Sequence, residues 1–301
     1  MGPQIEKMEE PVSIEANECV IPDSSVTDAS GHNLRSNSNT SVQPNVLLRT
    51  GVFTPVGRRT SKDTVEMDLS DELRTLELCK KEGYDHVQVR GDKLNVETDF
   101  KVWCGIVLAF TKYGASTNLI SFKFSEFAKL CAYPSRRFDK NLRRQIGDSL
   151  ERIQSQKLTL KRKNAVKAVH TGLLLKAEYD EEADTISLMA DESLWDLYRL
   201  DYQVLVSIKV LEKLPRAEVA QCLYLYFLSL PSNPVPVSFE RLRDRLQLQS
   251  SLKEANRKIK NGILKLESIG FLSGSFLKKG NETYYSIDGR SKKLNASTSP
   301  N

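Results

Sequence analysis

The chain has 301 residues, 40% apolar and 28% charged, with a formal net charge of +5, which is room for two domains, or one with tails, around a packed core. Its five cysteines (19, 79, 104, 131, 222) form no C-x-x-C pair and its three histidines (32, 86, 170) are far apart in sequence, which argues against a zinc site of ordinary spacing and against a metal-dependent nickase; no cofactor is expected. The longest apolar run, Val102 to Phe110, falls well short of the ~20 residues of a membrane helix, and scattered cysteines without a signal segment suit a reducing cytoplasm.

Residues 1–45 are rich in Ser, Asn, Asp and Glu and poor in large apolar side chains, so a disordered tail is expected there, and a flexible end at 294–301. Ser70 caps a short helix carrying Leu73, Leu76 and Cys79, stopped at Gly83. His86–Arg90 alternates as a strand. Thr98 opens a helix, Asp99 to Tyr113, too densely apolar for a surface position and so the centre of a first core that takes in Trp103. Leu119–Phe124 reads as a strand, with Ser125 capping Glu126–Cys131. After Pro134, Ser135 caps a long helix to about Ile153, and strands follow at Leu158–Lys163, Val166–Tyr179 and Thr185–Met189. A helix containing Trp195 closes the first domain, 46–201. The second domain, 202–293, holds a helix from Pro215 to Leu230, a short helix Phe239–Leu246 capped by Ser238, and a helix from Ser251 to Ile269 stopped at Gly270. It ends in a hairpin, Phe271–Phe276 with Thr283–Ile287, around Lys278-Lys279-Gly280-Asn281.

Both domains repeat one grammar: strand, short helix, turn, long helix, hairpin. A shift of 116 residues lays Ser135 on Ser251 and Leu150-Glu151-Arg152-Ile153 on Leu266-Glu267-Ser268-Ile269. That grammar is a helix-turn-helix with an appended hairpin, so the expected fold is α+β: two tandem winged-helix domains with a disordered N-terminal tail. Charge follows the repeat. Residues 136–167 sum to +8, residues 178–201 to −8, and residues 241–293 to +8, as though two surfaces served one polyanion.

The second long helix carries the clearest face. Ala255, Ile259, Gly262, Ile263 and Leu266 make an apolar stripe, and Lys253, Asn256, Arg257, Lys260 and Asn261 make a second with no acid in it. A solvated helix ordinarily mixes signs, because i,i+4 Glu–Lys pairs help it. Cations and amides are the groups that pair with guanine and adenine edges, so this helix is expected to read double-stranded DNA. In the first long helix Phe138, Leu142, Ile146, Leu150 and Ile153 are expected to bury, with Arg136, Arg137, Lys140, Arg143 and Arg144 outward, chiefly toward phosphate. Lys278 and Lys279 sit at a wing tip; Lys161, Arg162 and Lys163 are expected to hold the matching place in the first domain. Asp180, Glu181, Glu182 and Asp184 read as a solvated strand turn. Neither a phosphate-binding GxxxxGK[ST] loop nor a GxSxG elbow occurs, so catalytic residues are not expected and the chain reads as a non-enzyme.

Three stretches carry a resemblance. They are Gln43-Pro44-Asn45-Val46-Leu47-Leu48-Arg49-Thr50-Gly51-Val52-Phe53-Thr54-Pro55, Asp99-Phe100-Lys101-Val102-Trp103-Cys104-Gly105-Ile106, and Phe127-Ala128-Lys129-Leu130-Cys131 leading to Pro134-Ser135-Arg136-Arg137. Together they resemble bacterial plasmid replication initiators of the RepA type found in the IncFIB group, and more distantly the TrfA type. The resemblance spans about Gln43 to Ile287; the N-terminal tail departs from it. It implies an initiator that binds repeated origin sites (iterons), opens adjacent DNA, recruits the host initiator and replicative helicase, and represses its own promoter, in a cytoplasmic setting with no membrane contact. It carries Arg136 and Arg137 onto the first DNA-reading helix. A homodimer through Leu69, Leu73 and Leu76 is a further expectation. A winged-helix transcription regulator without a replication role is the alternative; an origin nickase and a pure interaction protein are weaker rivals.

Overall fold

The computed structural model describes residues 36–56, 64–68, 84–113, 119–162, 168–190, 198 and 203–291. Residues 1–35 of the tail expected over 1–45, the helix expected from Ser70 with its Leu69, Leu73 and Leu76 face, the helix around Trp195 and the segment 294–301 lie outside the described residues. In chain order the elements are β1 (Thr40–Pro44), α1 (Asn45–Arg49), β2 (Phe53–Thr54), β3 (Thr64–Asp68), β4 (Tyr84–Asp92), β5 (Leu94–Asn95) and α2 (Asp99–Tyr113). Then come β6 (Leu119–Lys123), α3 (Phe124–Leu130), α4 (Lys140–Ser155), β7 (Lys157–Arg162), β8 (Ala168–Gly172), β9 (Lys176–Asp180) and β10 (Thr185–Met189). The remainder is β11 (Gln203–Ser207), α5 (Ile208–Glu212), α6 (Glu218–Ser229), β12 (Val237–Ser238), α7 (Phe239–Leu246), α8 (Leu252–Ser268), β13 (Leu272–Lys279) and β14 (Glu282–Arg290). Among the described residues, no helix is long and apolar enough to cross a membrane.

Two copies of one arrangement stand out. In the first, β6 leads straight into α3, α4 follows, and β9–β10 form the hairpin, with sheet order β6-β10-β9. In the second, β12 leads into α7, α8 follows, and β13–β14 form the hairpin, with order β12-β14-β13. A short strand pairing with the second hairpin strand, two helices between, is a winged helix, and the chain has it twice. The buried positions fix the repeat. Leu142, Ile146, Ser149, Leu150 and Ile153 of α4 fall on Ala255, Ile259, Gly262, Ile263 and Leu266 of α8, a shift of 113 residues. The shift of 116 matched Ser135 to Ser251 as caps, and that match is corrected. Ser135–Arg137 is a separate 3-10 turn, and Asp139 caps α4, its carboxylate accepting from the Leu142 N–H at 2.8 Å. Phe138 at ψ 55° and an extended Asp139 break the helical run after Arg137, so the helix starts afresh at Lys140.

The first wing is also corrected. β7 and β8 do not form it; they join β3 and β4 in a separate four-stranded sheet, β3-β4-β7-β8, where Leu158 pairs across from Val89 and both are buried. Lys161 and Arg162 therefore lie outside the wing, and Lys163 is outside the described residues. The actual first wing turns through Asp180–Asp184, and its tip is acidic. The single strand expected from Val166 to Tyr179 is broken in two because Leu173 and Leu174 turn into the core.

Residues 40–45, expected in the tail, are an integral strand and helix start. β1 pairs antiparallel with β11 from Thr40↔Ser207 to Pro44↔Gln203, and every residue of it is buried. Gln43 is fully buried, where its Oε1 accepts from the Trp103 indole at 2.9 Å and from the Tyr198 hydroxyl at 3.1 Å. A polar side chain is tolerated in the core when its hydrogen bonds are met, and no local sequence pattern announces such distant partners.

At the centre of the first core α2 buries Phe100, Val102, Trp103, Ile106, Val107 and Phe110. Its Asp99 carboxylate is fully buried, accepting from Ser149 Oγ at 2.6 Å and from Arg152 at 2.6 and 2.9 Å, which ties the start of α2 to the last turns of α4. Gly105 lets α3 close on α2: a Cβ there would stand 2.4 Å from Cys131 Sγ and 3.0 Å from its Cα. Replacing Arg152 by Ala leaves a buried carboxylate uncompensated, and unfolding in urea should show a loss of about 3–5 kcal/mol; pairing Arg152→Met with Asp99→Asn should lose less. Gly105→Ala should cost about 1–3 kcal/mol in the same measurement through overpacking against backbone.

Candidate nucleic-acid interface

The apolar stripe of α8 is buried against α6 and α7, and its other side faces solvent. Lys253, Arg257, Lys260 and Asn261 are exposed and Asn256 half-buried, on the face the sequence indicated. Gly262 takes a helix-interior position because α6 comes close: a Cβ would meet Leu223 at 2.9 Å and Val219 at 3.1 Å. Between α8 and the second wing lies an open cleft of about 350 Å³, lined by Lys253, Asn256, Arg257 and Lys260 from the helix, Phe276 and Thr283 from the wing, and Phe239 from α7. Lys260 Nζ stands 5.5 Å from the centre of the Phe276 ring, bridging helix to wing. Lys278 and Lys279 are exposed where β13 reaches its turn, with Lys279 Nζ 5.7 Å from the Tyr284 ring centre. The turn is closed by Gly280 at φ +60°, a conformation glycine takes without steric cost.

Three residues that the sequence reading passed over organise this face. Arg243 of α7 donates from Nη1 to Asn256 Oδ1 at 2.6 Å and lies 3.6 Å from Glu282 at the start of β14. Glu282 in turn accepts from the Glu240 backbone N–H at 2.9 Å. Asn256 therefore has its amide plane fixed through α7 and the wing. Glu254 pairs with Arg257 across one turn, accepting from Nε and Nη2 at 2.7 Å each, and the guanidinium holds its carboxyl below the usual carboxylate range. The stripe is expected to carry no acid; Glu254 reaches into it and offsets part of the charge. Its i,i+3 spacing to Arg257 was the signal available for it.

The first long helix differs. Arg136 and Arg137 are exposed on the 3-10 turn ahead of α4, with the Arg137 guanidinium carbon 5.6 Å from the Tyr133 ring centre. Lys140 and Arg144 are exposed on α4. Arg143 is engaged inward. It donates from Nε and Nη2 to the two oxygens of Asp184 at 3.1 Å each and from Nη1 to Phe138 O at 3.0 Å, and it lies 4.4 Å over the Phe124 ring. Tyr179 also donates to Asp184, at 3.2 Å. At the shift of 113 residues, Arg143 corresponds to Asn256, and Asp184, like Glu282, stands at the start of the second wing strand. Both modules thus tether one helix position to the wing. Farther along the helix the second module carries Lys260 and Asn261; in the first the matching residues are Gly147 and Asp148.

A family described as "Initiator Replication protein, WH1" matches residues 82–228. Over 262 residues the chain is 47% identical to "Protein RepA" of Escherichia coli, covering 87% of this chain and 91% of that one. The chain belongs to the RepA family of plasmid replication initiators. It is also 36% identical over 269 residues to "RepFIB replication protein A" of Escherichia coli, covering 87% of this chain and 83% of that one. Among solved structures, domains 2 and 3 of RctB share its fold, with a TM-score of 0.51 at 14% identity over 81% of this chain and 98% of that one. Two tandem winged helices are thus the frame on which this RepA-family chain carries its initiator role.

The Arg143–Asp184 tether makes a pH prediction. Arg143 lowers the Asp184 carboxyl from 3.8, so the pair stabilises the fold above the unfolded-state value, and its contribution fades as pH falls through the lower folded-state value. Asp184 lies at φ +52°, which Asn also tolerates, so Asp184→Asn removes the charge without a new backbone demand. Thermal melts should show Asp184→Asn less stable than the parent at pH 7, by no more than about 1 kcal/mol because the pair is part-exposed, with the gap closing below pH ~4.

Proposed function

We propose that this initiator binds repeated origin sequences in double-stranded DNA through both winged helices, with α8 reading bases and the first module holding phosphates. The α8 ridge carries the reading: Lys253, Asn256, Arg257, Lys260 and Asn261 stand outward beside a lysine-tipped wing, on a helix whose opposite stripe is buried. Arginine and asparagine offer the paired donors and acceptors that major-groove edges require. In the first module Arg136, Arg137, Lys140 and Arg144 supply charge, while Gly147, Asp148 and the acidic turn of the wing withhold it from the far end. Arg143, half-exposed, adds its charge there while also tethering the wing through Asp184.

Neutralised phosphates release counterions, so affinity should fall steeply with salt. Binding several sites in array would bend the duplex and favour strand opening with no ATP used by this chain. Repression of its own promoter, recruitment of the host initiator and replicative helicase, and a homodimer formed through the first domain (residues 46–201) complete the proposal; residues 202–293 form its main reading domain.

Protection mapping on DNA flanking the gene should reveal direct repeats. On a duplex carrying one, Arg257→Ala should lose about tenfold or more in affinity and relax the preference over random DNA. Lys278→Ala and Lys279→Ala should weaken both duplexes alike, each making the slope of log K against log salt shallower by about 0.9. Unchanged binding to both duplexes by Arg257→Ala and Lys260→Ala would remove α8 from the interface. Loss of origin-dependent plasmid maintenance by the same variants separates an initiator from a transcription regulator.

A further inference from the structure

We propose that Glu254 determines specificity by converting Arg257 from a phosphate binder into a base reader; this rests on the assignment of α8 to DNA. A guanidinium has five N–H donors. Glu254 occupies two of them, one on Nε and one on Nη2, and leaves three, including a fork between Nη1 and Nη2. The pair lies in the exposed first turns of α8, the part of a recognition helix that reaches base edges. A guanine edge is neutral and presents two acceptors to that fork, so it can be read while Glu254 keeps its grip. A phosphate is an anion. To reach Arg257 it must approach the Glu254 carboxylate or displace it, and like charges oppose both. The same carboxylate fixes the plane of the guanidinium before DNA arrives, which lowers the ordering cost of a bidentate contact.

The molecule contains its own contrast. At the matching positions of α4 stand Asn141 and Arg144, so the first module has the arginine without the carboxylate. A neutral Asn141 imposes no penalty on phosphate, in keeping with a module that holds the backbone while α8 selects the site.

The test compares two duplexes of equal length, one carrying a direct repeat mapped from DNA flanking the gene and one of random sequence, with the full chain and its Glu254→Gln, Glu254→Asp and Arg257→Ala variants. Glu254→Gln should raise random-duplex affinity about fivefold to tenfold and steepen its salt slope by up to about 0.9, the mark of one added phosphate contact. Repeat-duplex affinity should hold or fall, so the ratio of the two affinities drops at least fivefold. Glu254→Asp, which can still pair at i,i+3, should recover much of the ratio. In the Arg257→Ala background, Glu254→Gln should shift both duplexes by one common factor, since charge alone then remains.

The proposal is overturned if Glu254→Gln moves both duplexes equally while Arg257 is present, or if the ratio rises. Should Arg257→Ala weaken the repeat duplex while Glu254→Gln leaves the ratio alone, only the role of Glu254 fails. Should Arg257→Ala and Lys260→Ala change neither duplex, the assignment of α8 fails and takes this proposal with it. Circular dichroism of each variant checks folding, which a substitution at this solvent-facing pair should leave intact.

Discussion

A helix can hold a row of cations outward only while its other side is anchored. In α8 the anchor is Ala255, Ile259, Gly262, Ile263 and Leu266, all buried; in α4 it is Leu142, Ile146, Ser149, Leu150 and Ile153 at the same five positions. Burial of these side chains outweighs the self-repulsion of the exposed stripe, since each large apolar residue contributes about 1.5–3 kcal/mol against the few tenths that neighbouring like charges cost. Ser149 and Gly262, at matching positions, each meet the supporting helix. Ser149 uses the approach to donate to Asp99, and Gly262 uses it for contact with Leu223 and Val219.

On this shared frame the two modules diverge by where they place acids. The second puts Glu254 and Glu282 among its cations, each in contact with an arginine, so the acids orient donors without cancelling the face. The first gathers its acids at the wing turn, where Asp184 draws Arg143 inward. The same helix position is therefore tied to the wing in both modules, by an ion pair in one and by an amide–guanidinium–carboxylate relay in the other. A repeat that keeps the apolar stripe and varies the polar groups gives two surfaces of different character from one fold.

Many signals with a local cause were legible. Ser238 caps α7, its hydroxyl accepting from Arg241 N at 3.1 Å; Gly270 ends the helical run at φ +75°; and the dense apolar run of Asp99–Tyr113 is a buried helix. The outward placement of Lys253, Arg257, Lys260 and Asn261 followed from a period of 3.6. Most of what escaped was set by partners far along the chain. Nothing near Ser41 or Gln43 indicates burial until β11 and Trp103 are present. Asp139 and Ser135 are both good caps, and the backbone break at Phe138–Asp139 decides between them. The first wing was misplaced because the hairpin that β7 makes with β8 is drawn into a sheet with β4, 65 or more residues earlier, which leaves the wing to the β9–β10 hairpin. Arg243, on another helix, gave no sign in sequence of its bond to Asn256.

The stretch from Thr40 to Thr54 bears most on how the two surfaces work together. β1 completes a sheet with β11, at the head of the second half, while Gln43 within it serves Trp103 and Tyr198 in the first. Arg245 of α7 donates to the Leu48 carbonyl, and Phe53 O meets Cys222 Sγ of α6 at 3.6 Å. Asn95 Nδ2 reaches Glu218 Oε1 at 2.7 Å, and Glu97 accepts from Arg216 N at 3.1 Å. One segment therefore belongs to both cores, and turning α4 relative to α8 means breaking buried hydrogen bonds and exposing Val46, Leu47 and Leu48. Such a change carries a cost that a single phosphate contact does not meet. The separation of the two long helices is thus held by buried contacts of the folded chain.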